Sequence, residues 1–153
     1  MNVRTMRLAV LCAAVISGAT WADAATCDSL TALALPNTTI TLAQTVSAGT
    51  FTPPGSTATQ QNASLTNLPA FCRVAATVKP TSDSDIKIEV WLPAANWNGK
   101  YQAVGNGGWA GSIVYTALGD ALKRGYAASS TDTGHVGGTA KAMLGHPEKL
   151  IDF

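Results

Sequence analysis

The segment richest in possible chemistry is the string GNGGWAG at residues 105–111, followed by Ser112 and the run IVYTALGDALKR. Glycine lets a backbone approach a ligand closely, and N–H groups at the mouth of a helix point toward negative charge. Two uses of such a loop compete. One is a dinucleotide site, since Gly105, Gly107 and Ala110 fit G-x-G-x-x-A and Asp132 follows 22 residues after Ala110, where a ribose would be held. The other is an oxyanion loop of an α/β-hydrolase, which donates backbone N–H to a tetrahedral intermediate. A third reading is close packing of helix on strand with no ligand chemistry. The loop follows a hairpin instead of opening the sheet, and the chain begins like an exported one, where nicotinamide cofactors are scarce. Both points favour the oxyanion loop.

A second group is Ser112, Asp132 and His135, which occur in the chain order of a hydrolase triad. Asp132 and His135 lie only three residues apart in the string TDTGH, so local backbone bonding is the stronger expectation for both, and Ser112 reads as a helix N-cap. No serine sits in G-x-S-x-G: Ser112 lies in AGSIV, Ser129 and Ser130 in AASST, and Ser47 in VSAG. A metal site from Asp132, His135 and His146 is weakly supported, because Gly137, Gly138 and Pro147 imply loops with nothing to hold ligand geometry. Trp91 and Trp97 read as core or hairpin packing. Trp109, inside the glycine loop, is a candidate for substrate contact.

These residues need elements to position them. Residues 73–79 (RVAATVK) and 86–92 (IKIEVWL) have strand lengths and β-branched content, and the second alternates Ile86, Ile88, Val90 and Leu92 against Lys87, Glu89 and Trp91. With the turn PTSDSD between them they predict a hairpin. Residues 100–104 (KYQAV) predict a short strand into the glycine loop. In the run after Ser112, Ile113, Val114, Ala117, Leu118, Ala121 and Leu122 recur at helical spacing, with Lys123 and Arg124 in the last turn and Gly125 as the stop. Residues 126–131 (YAASST) predict a further strand. Strand, glycine loop, helix and strand make a βαβ unit with a parallel pair.

Export is read from the start of the chain. Arg4 and Arg7, the apolar run LAVLCAAVI at 8–16 and the A-x-A site Ala22, Asp23, Ala24 describe a signal peptide over residues 1–24. Nine apolar residues fall well short of the about 20 that a membrane-spanning helix needs, so no membrane anchor is expected. No lipobox precedes Cys12 or Cys27. Cys12 leaves with the signal, and Cys27 and Cys72 would meet an oxidising compartment as a pair, secreted or periplasmic. Their disulfide would close a 45-residue interval, with a loop-entropy stabilisation of about 4 kcal/mol. Residues 25–70, rich in Ser, Thr, Asn, Ala and Pro, read as an irregular strap tied by that bond, with β-favouring content at 39–46 and a turn at Pro53, Pro54 and Gly55. Of the 153 residues only 12% are charged and the formal net charge is +1, which argues against a nucleic-acid partner.

The strings CRVAATVKP, IKIEVWLPAANWNGKYQAVGNGGWAGSI and GYAASSTDTGH, in this order, resemble the N-terminal part of the tannase and feruloyl esterase family. The resemblance implies a secreted serine esterase on an α/β-hydrolase core, acting on esters of aromatic acids such as gallate or ferulate. It also implies a disulfide between cysteines placed like Cys27 and Cys72, and an oxyanion-loop region around Gly107 and Gly108. The expected fold is therefore α/β, the beginning of a hydrolase sheet made of a hairpin and a βαβ unit, with residues 71–153 as the start of the catalytic domain. The family's nucleophile lies in a G-C-S-x-G-G elbow further on, with its Asp and His later and a calcium-bearing lid between. None of those motifs is in these residues, so the resemblance implies no triad residue, cofactor or calcium here and an inactive fragment. The alternative is a small exported non-catalytic domain that binds aromatic or carbohydrate ligands.

Overall fold

The computed structural model describes residues 25–56 and 64–153; the signal-peptide reading of residues 1–24 lies outside them. Among the described residues, five strands form one sheet: β1 (Thr38–Val46), β2 (Phe71–Val78), β3 (Ile86–Pro93), β4 (Tyr101–Val104) and β5 (Ala127–Thr131). Their spatial order is β1-β2-β3-β5-β4. The expected hairpin is β2 with β3, antiparallel from Phe71 opposite Pro93 to Val78 opposite Ile86. The expected crossover is also present. Helix α1 (Tyr115–Lys123) carries the chain from β4 to β5, which pair in parallel, while β5 inserts between β4 and β3 and runs antiparallel to β3.

The described part of the 25–70 segment is more ordered than an irregular strap. It contributes the nine-residue strand β1, paired along β2 with a register shift between Ile40 and Leu42. It also sends Phe51, Leu65 and Leu68 into the core. Its Thr-rich run satisfies its backbone on β2, which explains how so polar a segment is held. A 3-10 turn (Asp28–Ala32) precedes it, and Cys27 is disulfide-bonded to Cys72 on β2 with Cα atoms 5.5 Å apart. Replacing both cysteines by serine is expected to lower stability by about 2–4 kcal/mol, because the unfolded chain regains the freedom of the closed loop. Urea unfolding with and without reductant measures it: the wild type should fall to the variant's midpoint on reduction, and the variant should not move.

Helix α1 buries Leu118, Gly119, Ala121 and Leu122 against the sheet. Its C-terminus follows the expected stop, for Gly125 at φ 78° donates to Leu122 C=O (2.8 Å) and Tyr126 N–H to Ala121 C=O (3.1 Å), the two bonds of a Schellman motif. Its N-terminus departs from expectation. Ser112 does not cap it; the helix starts at Tyr115, and the Val114 N–H donates to Ser130 Oγ of β5 at 3.0 Å. A buried hydroxyl on the neighbouring strand serves where a local cap was expected.

The core lies on the helix-bearing face of the sheet. Phe51, Phe71, Trp91 and Tyr115 pack ring to ring, with Phe71 and Trp91 centroids 4.5 Å apart and Phe51 edge-on to Trp91 at 4.6 Å. On β3 this face carries Glu89 and Trp91, both buried. The opposite face, with Ile88, Val90 and Leu92, borders an apolar groove of about 380 Å³ against the leucines of the 3-10 turn and its exit.

Candidate functional site

Because β4 and β5 are parallel neighbours, their C-terminal ends lie side by side, and the chain leaves both at one edge of the sheet, where open α/β sheets bind ligands. The glycine loop leaves Val104 and the TDTGH segment leaves Thr131. These two motifs, 25 residues apart between Asn106 and Thr131, are bonded to each other along their length. Asn106 Nδ2 donates to Thr131 C=O at 2.8 Å. His135 Nε2 lies 2.9 Å from the Trp109 carbonyl oxygen. Gly111 and Gly137 exchange both backbone bonds, Gly111 N–H to Gly137 C=O at 2.7 Å and the reverse at 3.3 Å. The contact is close enough that a Cβ on Gly111 would lie 2.3 Å from the His135 carbonyl oxygen.

Within the glycine loop, residues 107–110 form a turn closed by Ala110 N–H to Gly107 C=O at 3.1 Å. Gly108 takes φ 53° and Trp109 an ordinary negative φ, the signs of a type II′ turn, in which glycine is required at the first central position. The two central N–H groups of such a turn, on Gly108 and Trp109, face away from its closing bond. Neither has a hydrogen-bond partner among the described residues. Two adjacent free donors, exposed at the C-terminal edge of a parallel strand pair, are available to an anionic oxygen.

Asp132 holds the second loop in shape. Its buried Oδ1 accepts from Lys87 N–H (2.8 Å) and Gly134 N–H (3.0 Å), while its own N–H donates to Lys87 C=O. This supports consecutive left-handed residues, Thr133 at φ 55° and Gly134 at φ 77°. A β-branched residue seldom adopts that conformation, and strain of this kind persists only when surrounding bonds enforce it. Thr133 N–H to Thr131 Oγ1 (3.0 Å) and Thr133 Oγ1 to Asp132 C=O (2.7 Å) complete the set.

The triad order Ser112, Asp132, His135 is not assembled. The Asp132 carboxylate bonds backbone amides, the His135 ring faces the Trp109 carbonyl, and Ser112 is exposed with no hydrogen bond among the described residues. The same bonds leave Asp132 occupied where a ribose would need it. His146 is engaged at 2.9 Å with Asp83 of the β2–β3 turn, and no group of three or more metal-ligating side chains is gathered among the described residues. Trp91 is wholly buried, and Trp97 donates to Lys100 C=O in its turn. Trp109 is half-exposed and stacks on Phe153, centroids 4.8 Å apart and planes 30° apart. Phe153 ends helix α2 (Pro147–Asp152), which is clasped to the β2–β3 turn by Ser84 Oγ to Asp152 Oδ1 (3.0 Å) and Lys149 Nζ to Asp83 C=O (2.9 Å).

A buried polar network that no sequence motif marks lies beneath the loop exit. Arg73 on β2 pairs bidentately with Glu89 on β3, and Glu89 also accepts from Trp91 Nε1 (3.1 Å) and Tyr115 OH (3.2 Å). The bond to Glu89 raises the Arg73 pKa, and burial lifts the Tyr115 phenol to about 12, so it stays protonated as a donor. The only cue in the sequence is a charge at each inward position, Arg73 and Glu89. This network and the loop exit at Gly111 and Ser112 line one open cavity of about 430 Å³.

Comparison with known proteins agrees with this arrangement. The family described as tannase and feruloyl esterase matches residues 72–153. An uncharacterized esterase of Xanthomonas campestris pv. campestris is 49% identical over 131 residues, which is 84% of this chain and 22% of that protein. A probable feruloyl esterase B-1 of Aspergillus terreus is 43% identical over 83 residues, 54% of this chain and 16% of that one. The crystal structure of feruloyl esterase B from Aspergillus oryzae superposes with a TM-score of 0.71 at 30% identity, covering 83% of this chain and 25% of that one. The chain thus spans about a fifth of the length of these relatives. Its hairpin, its βαβ unit and its two linked loops are the start of an α/β esterase fold, and the chain belongs to the tannase and feruloyl esterase family.

Proposed function

We propose that the chain is the N-terminal portion of an exported carboxylic ester hydrolase that cleaves esters of aromatic acids through a serine nucleophile, and that the turn at 107–110 forms part of its oxyanion site. The observation that carries this is the pair of unpartnered N–H groups on Gly108 and Trp109, held at the sheet edge by three links to the neighbouring loop. Donors fixed in advance stabilise an oxyanion without reorganising during reaction, and each is worth about 10²–10³ in kcat. The nucleophile and its Asp and His come from polypeptide beyond these residues. Trp109 offers an aromatic surface at the lip of the site for the acyl ring. The chemistry assigned to this stretch uses no cofactor, and calcium belongs to the lid of the longer form.

The test reads the coding sequence downstream of Phe153 for an in-frame G-C-S-x-G-G elbow and assays the whole product on methyl ferulate. Turnover that disappears when the elbow serine becomes alanine supports the proposal. Absence of the elbow, or turnover by the 153-residue chain alone, overturns it.

A further inference from the structure

The geometry points to His135 as a positioning residue for the oxyanion turn, a role that rests on the esterase reading above. The ring is buried, and its Nε2 is 2.9 Å from the Trp109 carbonyl oxygen. A carbonyl only accepts, so Nε2 carries the proton and the tautomer is fixed. Among the described residues Nδ1 then faces only Thr133, with Oγ1 at 3.4 Å and C=O at 3.5 Å, and Thr133 Oγ1 already donates to the Asp132 carbonyl. The histidine acts through the loop and touches no reacting atom.

The carbonyl it grips belongs to the second central residue of the turn. That peptide plane also carries the Ala110 N–H that closes the turn on Gly107. Fixing the plane therefore fixes the closing bond, and with it the aim of the Gly108 and Trp109 N–H groups. Without the tether, the Trp109 carbonyl has no partner among the described residues and the turn is free to rock. The histidine is itself seated, with the Asp132 carboxylate shaping its turn and the Gly111 backbone pressed against its carbonyl and Cδ2. A displacement of about 1 Å at a catalytic donor is enough to cost about 100-fold in rate.

The experiment compares wild type, His135→Phe, His135→Gln and His135→Asn in the full-length esterase that carries this segment. Phenylalanine keeps the ring and loses the donor. Glutamine places an amide N–H where Nε2 stands, and the asparagine amide stops one carbon short. On methyl ferulate, His135→Phe and His135→Asn should lower kcat by about 10–100-fold with KM within about twofold, and His135→Gln should recover to within about fivefold of wild type. Hydrogen exchange of the amides at 105–111 should quicken in the Phe and Asn variants and stay near wild type in Gln. Equal kcat losses in Gln and Asn, or exchange alike in all four proteins, overturn the proposal. If the Phe variant does not fold, the Gln and Asn pair decides. A wild type without turnover sinks the esterase reading, and the exchange comparison still decides the tether.

Discussion

Gly111→Ala in the full-length esterase is expected to cut kcat on methyl ferulate by about 100-fold and to lower stability by about 1–3 kcal/mol. Gly111 has no positive φ to protect, so the effect is steric. A new Cβ would sit 2.3 Å from the His135 carbonyl oxygen, 2.7 Å from its carbonyl carbon and 2.8 Å from Cδ2. Two of the three atoms are backbone, so no side-chain rotation relieves the clash. The loops must separate by about 1 Å to reach ordinary contact distance. That separation breaks the paired Gly111–Gly137 bonds and draws His135 from the Trp109 carbonyl, so two of the three links fail together. Gly138→Ala is the control: it lies in the second loop beside Gly137, no atom would fall within 4 Å of its Cβ, and its φ is not in the left-handed region. Steady-state kinetics and urea unfolding of both variants check the expectation. A Gly111→Ala enzyme with normal kcat would show that the oxyanion donors do not depend on the joined loops.

The elements that position this site were legible because their signals are local. The alternation at 86–92, the PTSDSD turn, the helical recurrence from Ala117 to Leu122 and the Gly125 stop each depend on neighbours in sequence, and each appears where expected. The misread features depend on partners far along the chain. Ser112 looked like a cap because nothing nearby revealed that Ser130, 16 residues from Val114, would satisfy the helix entrance. The strap looked irregular because β1 is edge-paired and polar on its exposed side, and its order comes from β2. The alternation in β3 showed two faces but not which would meet the helix: Trp91 and Glu89 do, because Phe51 and Tyr115 arrive there from segments before and after β3 in the chain. At the site, the glycine string and TDTGH were each visible, but only the parallel pairing of β4 and β5 brings them together.

Arg73→Leu is expected to destabilise the fold by about 3–5 kcal/mol, since it strands the Glu89 carboxylate, 4% exposed, without its cation. Trp91 Nε1 and Tyr115 OH remain as donors but cannot neutralise the charge. Glu89→Leu is expected to cost a similar amount by stranding the guanidinium and both neutral donors. The double variant Arg73→Met/Glu89→Gln should lose only about 1–2 kcal/mol, because no buried charge remains and the Gln carbonyl still accepts from Trp91 and Tyr115. That inequality separates a pair needed for stability from one whose halves are merely costly alone, and a double variant at least as unstable as Arg73→Leu would refute it. Urea midpoints at neutral pH supply the comparison. The same network sets an alkaline limit. Tyr115 titrates near 12 in the fold against an ordinary value of 10.0, so its contribution is intact below about pH 10 and is lost as pH climbs toward 12, the unfolded chain giving up the proton first. Tyr115→Phe should remove that part of the decline. Tyr115 opens the helix that follows the glycine loop, and its bond to Glu89 fixes the helix start to β3. Loosening the network should therefore first be seen as faster amide exchange at 111–115, before global unfolding, with Gly111 and its link to the second loop the nearest part of the site to feel it.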